Sequence, residues 1–358
     1  MIQIYQKYII YSFLKNLLKV FIFFFGLVLI LNLFEEISFF KNVNIDFYFP
    51  VFITLLNVPS VLFDILPFIF LITTLFFFTE ILDKNEINVY KIFGLTNAKI
   101  IKTITLTSFI CGVFSVLVLY NISSNLKFLY LDIKNDYSQD DKYLAVVTAN
   151  GLWIKDEVDE TISIISAKKI NGDFISNVLI TEYDLDFNFK RMIISKNVDI
   201  KDYIWNIKEA QITENNLTKK IVDLTYKSNF NSQKISNLFS NLSSLNFFQL
   251  RKLKNDYKLL GYSTTSLSVH EHKLYSYPLY LSIMVCISSI LMLNIKHNHS
   301  KTFNLFLGIF ISVLIYYINY FFNILVESKE ISHLTSVWGP QLILILIVSI
   351  GLVKINEK

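Results

Sequence analysis

NEINVYKIFGLTNAKII, residues 85–101, lies between two long apolar runs. A short connector between two membrane-crossing segments need only be polar. This one carries Ile87, Val89, Tyr90, Ile92 and Phe93, then Gly94, Leu95 and Thr96. Asn85 can cap a helix, and Glu86 suits its first turn, where the helix dipole favours negative charge. Val89, Ile92 and Phe93 share one face at i, i+3 and i+4, with Ile87 and Tyr90 beside them. Gly94 suits the left-handed residue that ends a helix, and Thr96 or Asn97 can cap the next one. The spacing predicts a helix over 85–94, a tight turn and then a span. Its apolar face must rest on lipid or dock into another protein.

The flanking runs are two of six stretches that reach the roughly 20 apolar residues a spanning helix needs. They cover about residues 17–34, 61–78, 100–122, 275–293, 303–325 and 334–353, and the second can begin near Phe49 with a kink at Pro59. The composition agrees: 53% of the 358 residues are hydrophobic, and the mean hydropathy is +0.47. The net charge is only +4, and the lysines form no dense stripe, so a nucleic-acid partner is not expected. Cys111 and Cys286 both fall in apolar runs and read as small buried residues, not a disulfide. The first residues show no cleavage site and lead into a span that reads as a retained anchor.

Between the third and fourth spans the character changes. TISIISAK, NVLITEY, KRMIISK, YIWNIKEA and KKIVDLTY are short runs rich in β-branched and aromatic residues. DLDFNFK (184–190) alternates strictly and also reads as a strand. Then SSLNFFQLRKLKNDYKLLG reads as a helix, capped by Ser243 or Ser244, striped by Phe247, Leu250, Leu253, Tyr257 and Leu260, and ended by Gly261. The expected fold is a polytopic α-helical membrane protein with six transmembrane helices, three and three, around an inserted β-sandwich or jelly roll. The expected parts are an amphipathic helix at 1–16 and spans one to three within 17–122. The β domain then covers 123–242, a helix with linker 243–274, and spans four to six 275–358.

Lysines give the orientation. Lys7, Lys15, Lys19, Lys84, Lys91, Lys99, Lys102, Lys296, Lys301, Lys354 and Lys358 fall at one end of the spans. The opposite loops carry Glu35, Glu36, Asp46, Glu327 and Glu330 with only Lys41 and Lys329. Lysine favours the cytoplasmic side, which places both termini and the 85–101 connector inside and the β domain outside.

Motifs for chemistry are sparse. There is no phosphate-binding GxxxxGK, so no nucleotide site is expected in this chain, and no cofactor is read from it. His297 and His299 read as a solvated basic loop. His270-Glu271-His272-Lys273 reads as a hydrated segment before span four and lacks metal-ligand spacing. Asp64, between Pro59 and Pro67, is an ionisable residue in a span, either reaching water near the outer surface or facing a cavity. Glu35 and Glu36 end span one, solvated or bordering a substrate path. Trp153 is either a core tryptophan of the β domain or the wall of an apolar ligand site.

Taken together, the layout resembles the LptF/LptG family of lipopolysaccharide export permeases over essentially the whole chain. KYIIYSFLKN, LLNVPSVLFDILPF, NEINVYKIFGLTNAKI, NGLWIKD and HEHKLYSYPL are similar to family segments, and NGLWIKD resembles the LptG version. The resemblance implies an inner-membrane LptF/LptG heterodimer served by two copies of a cytosolic ATPase, LptB, with ATP held by that partner. It implies that Glu86 pairs with a basic residue of the ATPase, that Ile87, Tyr90 and Phe93 fill its groove, and that Gly94 ends the coupling helix. Lipopolysaccharide would enter between the first and fifth spans, pass into the jelly roll and reach LptC/LptA-like bridge proteins. Glu35, Glu36, Lys41, Asp64 and Trp153 would border that path. One departure stands out: LFEEISFFKN carries a single lysine, Lys41, and Ser60 follows Pro59, where family members place several lysines. From the residues alone, a membrane-anchored envelope receptor or scaffold is the rival reading.

Overall fold

The computed structural model describes residues 3–137, 152–259, 264–293 and 301–356, apart from positions 42, 44, 47, 159, 160, 172, 215, 216, 233, 234, 236–241 and 329. Asn150, Gly151, Leu260, Gly261, Lys296, His297, His299, Lys329 and Lys358 lie outside the described residues. Two compact units form, Met1–Lys127 with Thr264–Lys358, and Phe128–Ser263.

In chain order the helices are α1 (Ile4–Phe39), α2 (Tyr48–Asp83), α3 (Glu86–Ile92), α4 (Asn97–Phe114) and α5 (Tyr120–Asp136), then α6 (Phe247–Leu259), α7 (Thr265–Leu293), α8 (Lys301–Glu327) and α9 (His333–Asn356). A single π turn, Ser115–Leu119, joins α4 to α5, with the Tyr120 N–H donating to the Ser115 carbonyl. Among the described residues six rods are long and apolar enough to cross a membrane: α1, α2, α4 with α5, α7, α8 and α9. α2 and α7 are the central pair, mostly buried, while α1 and α8 keep most of their apolar surface open.

No turn separates residues 4–16 from the first span. One helix of 36 residues covers both, about 54 Å long at 1.5 Å per residue. Packing explains this: Ile9 and Phe13 are fully buried, and the Phe13 ring meets Phe70 and Phe77 of α2. α2 begins at Tyr48, as the early-start reading allowed, with Pro59 and Pro67 inside it. Proline has no N–H, so Pro67 leaves the Phe63 carbonyl without its usual helical donor. The Tyr277 hydroxyl of α7 supplies one, and the Tyr277 ring stacks on Phe63 at 4.5 Å. The Ser123 hydroxyl of α5 donates to the Pro59 carbonyl at 3.2 Å. At Gly112 of α4 a Cβ would stand 2.6 Å from the Pro278 Cα, so α4 and α7 cross in backbone contact there.

In the second unit six strands among the described residues form one antiparallel sheet, each pairing with the next: β1 (Leu152–Val158), β2 (Thr161–Asn171), β3 (Phe174–Tyr183), β4 (Phe189–Asp199), β5 (Ile204–Glu214) and β6 (Leu217–Lys227). The inserted β domain is thus present. Among the described residues its path is an up-and-down meander, simpler than the Greek-key winding of a jelly roll. The register lines Ile154, Ile165, Ile180, Ile193 and Ile212 across five strands, all buried. That shared period of two defines the inner face. The sheet curls, because the Tyr226 hydroxyl of β6 reaches Ser163 Oγ of β2 at 2.7 Å. Just past β6, Ser228 Oγ and the Asn229 N–H donate to Asp156 Oδ2 of β1 at 2.7 and 3.0 Å. Asn229 Nδ2 donates to Asp156 Oδ1 at 3.0 Å. This clasp joins the first and last strands.

Two local readings are corrected. DLDFNFK is not a strand but the turn between β3 and β4, with only Phe189 and Lys190 entering β4. Asp184 Oδ1 accepts the Asp186 and Asn188 N–H groups at 3.0 and 2.7 Å, and Phe187 takes a left-handed φ of 60°. An aspartate bonding the backbone just ahead overrides an alternation it happens to precede. Trp153 is not a core residue: at 54% exposure it lies on the opposite sheet face from its buried neighbours Leu152 and Ile154. The core tryptophan is Trp205, fully buried, whose Nε1–H donates to the Phe230 carbonyl at 2.7 Å.

Candidate functional site

Seven residues are too few for a helix to hold its shape alone in water; α3 is held by its ends and its inner side. At its C-terminus Gly94 has φ 75°. The Leu95 N–H reaches the Tyr90 carbonyl at 2.9 Å and the Gly94 N–H the Lys91 carbonyl at 3.0 Å, the paired bonds of a Schellman ending. Thr96 then caps α4, its hydroxyl accepting the Lys99 N–H at 3.4 Å. At the N-terminus the expected Asn85 side-chain cap is absent. Asn85 sits at φ 55° with no side-chain capping bond, because the chain turns so tightly out of α2 that this residue must take the left-handed backbone.

The side chains of α3 divide sharply. Ile87 is 8% exposed, whereas Ile92 and Phe93 are 82% and 78% exposed and Val89 half so. Ile87 therefore serves this chain's own packing, and the outward apolar surface is Val89, Ile92 and Phe93. Glu86 faces back: the Tyr8 hydroxyl of α1 donates to its Oε1 at 2.9 Å, and the Tyr90 hydroxyl to its Oε2 at 3.3 Å. Burial, then the Glu86 charge, pushes the Tyr90 phenol far above its ordinary pKa, so it stays a donor. One turn before α3, Glu80 accepts from Asn16 Nδ2 of α1 at 2.9 Å and from Lys84 Nζ at 2.7 Å. The bond to Glu80 holds the Lys84 ammonium above its ordinary pKa.

Asp64 lies 19 residues, 83 − 64, from the connector end of α2, about 29 Å, which is one hydrocarbon thickness. It is exposed, and the charges of Lys127 of α5 and Lys273 of α7 act on it. Beside it Tyr120 and His270 Nε2 share a 2.9 Å hydrogen bond. The His270–Lys273 segment is not a hydrated lead-in but the first turns of α7. Glu271 is buried there, accepting from the Tyr275 hydroxyl at 2.9 Å, and the His272 ring lies 5.5 Å from that of His333. Glu35 and Glu36 part company: Glu35 is exposed and Glu36 buried, as neighbours 100° apart on one helix can be. Asn57 Nδ2 of α2 donates to Asn32 Oδ1 of α1 at 2.8 Å. Lys41, Asp46, Leu33, Ile37, Phe40 and Pro50 border a cavity of about 250 Å³ between α1 and α2. Cys111 and Cys286 remain free thiols.

Glu86 and Tyr90 are thus brought together with Tyr8, which no local pattern singles out. Lys127 also escaped sequence reading, and Lys273 read only as part of a hydrated segment, because each looks like an ordinary end-of-span lysine until the helices assemble.

Six spans among the described residues and a β domain inserted between the third and fourth define a polytopic membrane protein, with the short helix α3 between spans two and three. The chain belongs to the family described as lipopolysaccharide export system permease LptF/LptG, which it matches over residues 7–354. It is therefore a membrane permease, a multi-pass protein of the inner membrane. No curated protein matches the chain.

Proposed function

We propose that this chain is an LptG-like permease subunit of an ABC-type exporter that takes lipopolysaccharide out of the inner membrane. It passes the lipid through the β domain toward periplasmic acceptor proteins. A separate cytosolic ATPase dimer drives the cycle, and an LptF-like second permease completes the transporter. The observation that carries this reading is α3: a fixed helix presenting Val89, Ile92 and Phe93 to the outside, in a chain whose sequence holds no phosphate-binding loop. The lysine distribution supports a cytoplasmic α3 and an external β domain. NGLWIKD supports the LptG side of the family. Lys127 and Lys273, whose charges act on Asp64, offer cations beyond the single Lys41 of LFEEISFFKN at the α1–α2 cavity.

Co-purification tests the proposal. An ATPase subunit should be retained by the unaltered chain and lost on Glu86→Lys or on Phe93→Asp, with membrane insertion unchanged. Retention of the ATPase by both variants would sink the docking role of α3.

A further inference from the structure

We infer that Tyr8 is a positioning residue that links the connector helix to the first span, so that displacement of α3 is delivered to α1. The inference rests on the reading of α3 as the ATPase dock and deepens it. α3 has covalent links to α2 and α4. Its link to α1 is the bond from the Tyr8 hydroxyl to Glu86 Oε1, 2.9 Å long and spanning 78 positions of sequence. A second bond, Asn16 Nδ2 to Glu80 Oε2 at 2.9 Å, ties α1 to the last turn of α2 about two helical turns further along. α1 is thus held to α3 at Tyr8 and to α2 at Asn16. α1 is one uninterrupted helix from Ile4 to Phe39 without proline, so it carries a shift of Tyr8 to its far end. There Leu33, Ile37, Phe40 and Lys41 line the cavity shared with α2.

Glu86 can do this and still dock a partner. A carboxylate offers about four acceptor positions, and the two tyrosine hydroxyls occupy one on each oxygen. Tyr8 is half-exposed, and its apolar ring is kept in Tyr8→Phe, which removes only the hydroxyl.

The test uses the whole transporter, with its ATPase and second permease, in proteoliposomes loaded with purified lipopolysaccharide. Two quantities are read: ATPase retained on the complex, and lipopolysaccharide released per ATP hydrolysed. Tyr8→Phe should leave retention unchanged and lower release per ATP by about fivefold, the range one such hydrogen bond sets. Tyr8→Lys, which restores a donor of similar reach, should recover most of the release. Glu86→Gln keeps an acceptor for Tyr8 but not the charge, so it should weaken retention more than release per ATP. Unchanged release per ATP in Tyr8→Phe overturns the inference and leaves the docking reading standing. Equal loss of ATPase in Tyr8→Phe and Glu86→Lys overturns it too, because Tyr8 would then belong to the docking surface itself. Failure of the unaltered chain to hold any ATPase overturns the docking reading and the inference together.

Discussion

The Tyr277 hydroxyl donates to the Phe63 carbonyl, the carbonyl that Pro67 deprives of its helical donor. A proline four residues on in one span is thereby answered by a tyrosine from another. In hydrocarbon such a carbonyl has no water to turn to. Tyr277→Phe should cost about 1 kcal/mol of stability. Pro67→Ala restores the backbone donor, so Tyr277→Phe should cost much less on that background. Thermal unfolding of the four combinations in detergent reads the coupling; additive effects would refute the pairing.

Gly94 holds a left-handed φ of 75° with nothing within 4 Å of a built Cβ. The cost of a side chain there is therefore conformational, not steric crowding. Gly94→Ala should destabilise the α3 ending by about 1 kcal/mol, while Gly94→Asn should be nearly neutral. Hydrogen exchange at Gly94 and Leu95, whose N–H groups close the ending, measures the difference.

Trp205 is fully buried and its indole N–H is satisfied by Phe230. Trp205→Ala should cost about 3–5 kcal/mol and unfold the β unit ahead of the helices. Trp153→Ala should leave folding within about 0.5 kcal/mol, as expected of an exposed position. Limited proteolysis of the two variants in membranes distinguishes them.

The Asp184 carboxyl is held below its ordinary pKa, first by the Asn188 side chain and then by the Asn188 and Asp186 backbone N–H groups. A lowered folded-state pKa means that the turn is fully supported above the unfolded value of about 3.9. The support is lost as pH falls through the still lower folded value. Protection of the Asp186 and Asn188 amides, relative to intrinsic exchange at each pH, should therefore fall only below about pH 4, and Asp184→Asn should remove that pH dependence. Loss of protection at neutral pH would contradict the assignment.

Severing the clasp gives the third test in the β unit. Asp156→Ala leaves three donors from Ser228 and Asn229 without their acceptor, a loss of about 2–3 kcal/mol. Asp156→Asn should lose less, since an amide oxygen still accepts. Protease cleavage after β6 reports the opening of the seam.

What could be read from residues alone followed from period and breakers. The five β-branched runs are all strands: four bury alternate residues on the face that the isoleucine row marks, and KKIVDLTY, exposed over most of its length, pairs as the edge strand β6. Thr96 and Gly94 were legible because capping is local chemistry. DLDFNFK misled because hydrophobic alternation carries no information about where the Asp184 side chain bonds. Asn85 misled in the same manner: it favours caps and left-handed turns alike, and the exit geometry of α2 decided. Tyr8 with Glu86, Lys127 with Asp64, and Tyr226 with Ser163 join positions far apart in the chain. No local pattern encodes those meetings; they exist only once the helices and the curled sheet bring their elements together.

The π turn at Ser115–Leu119 means that the third span carries one residue more than a regular helix would need. The wide turn absorbs that residue, so the helix beyond it keeps the facing of a regular helix without it. Were the turn to tighten to ordinary geometry with the residue retained, everything beyond it would rotate by about 100°. Tyr120 would leave His270, Ser123 would leave the Pro59 carbonyl, and Lys127 would swing away from Asp64. The irregular turn is thus a phase setting: its width decides which way the rest of the span looks.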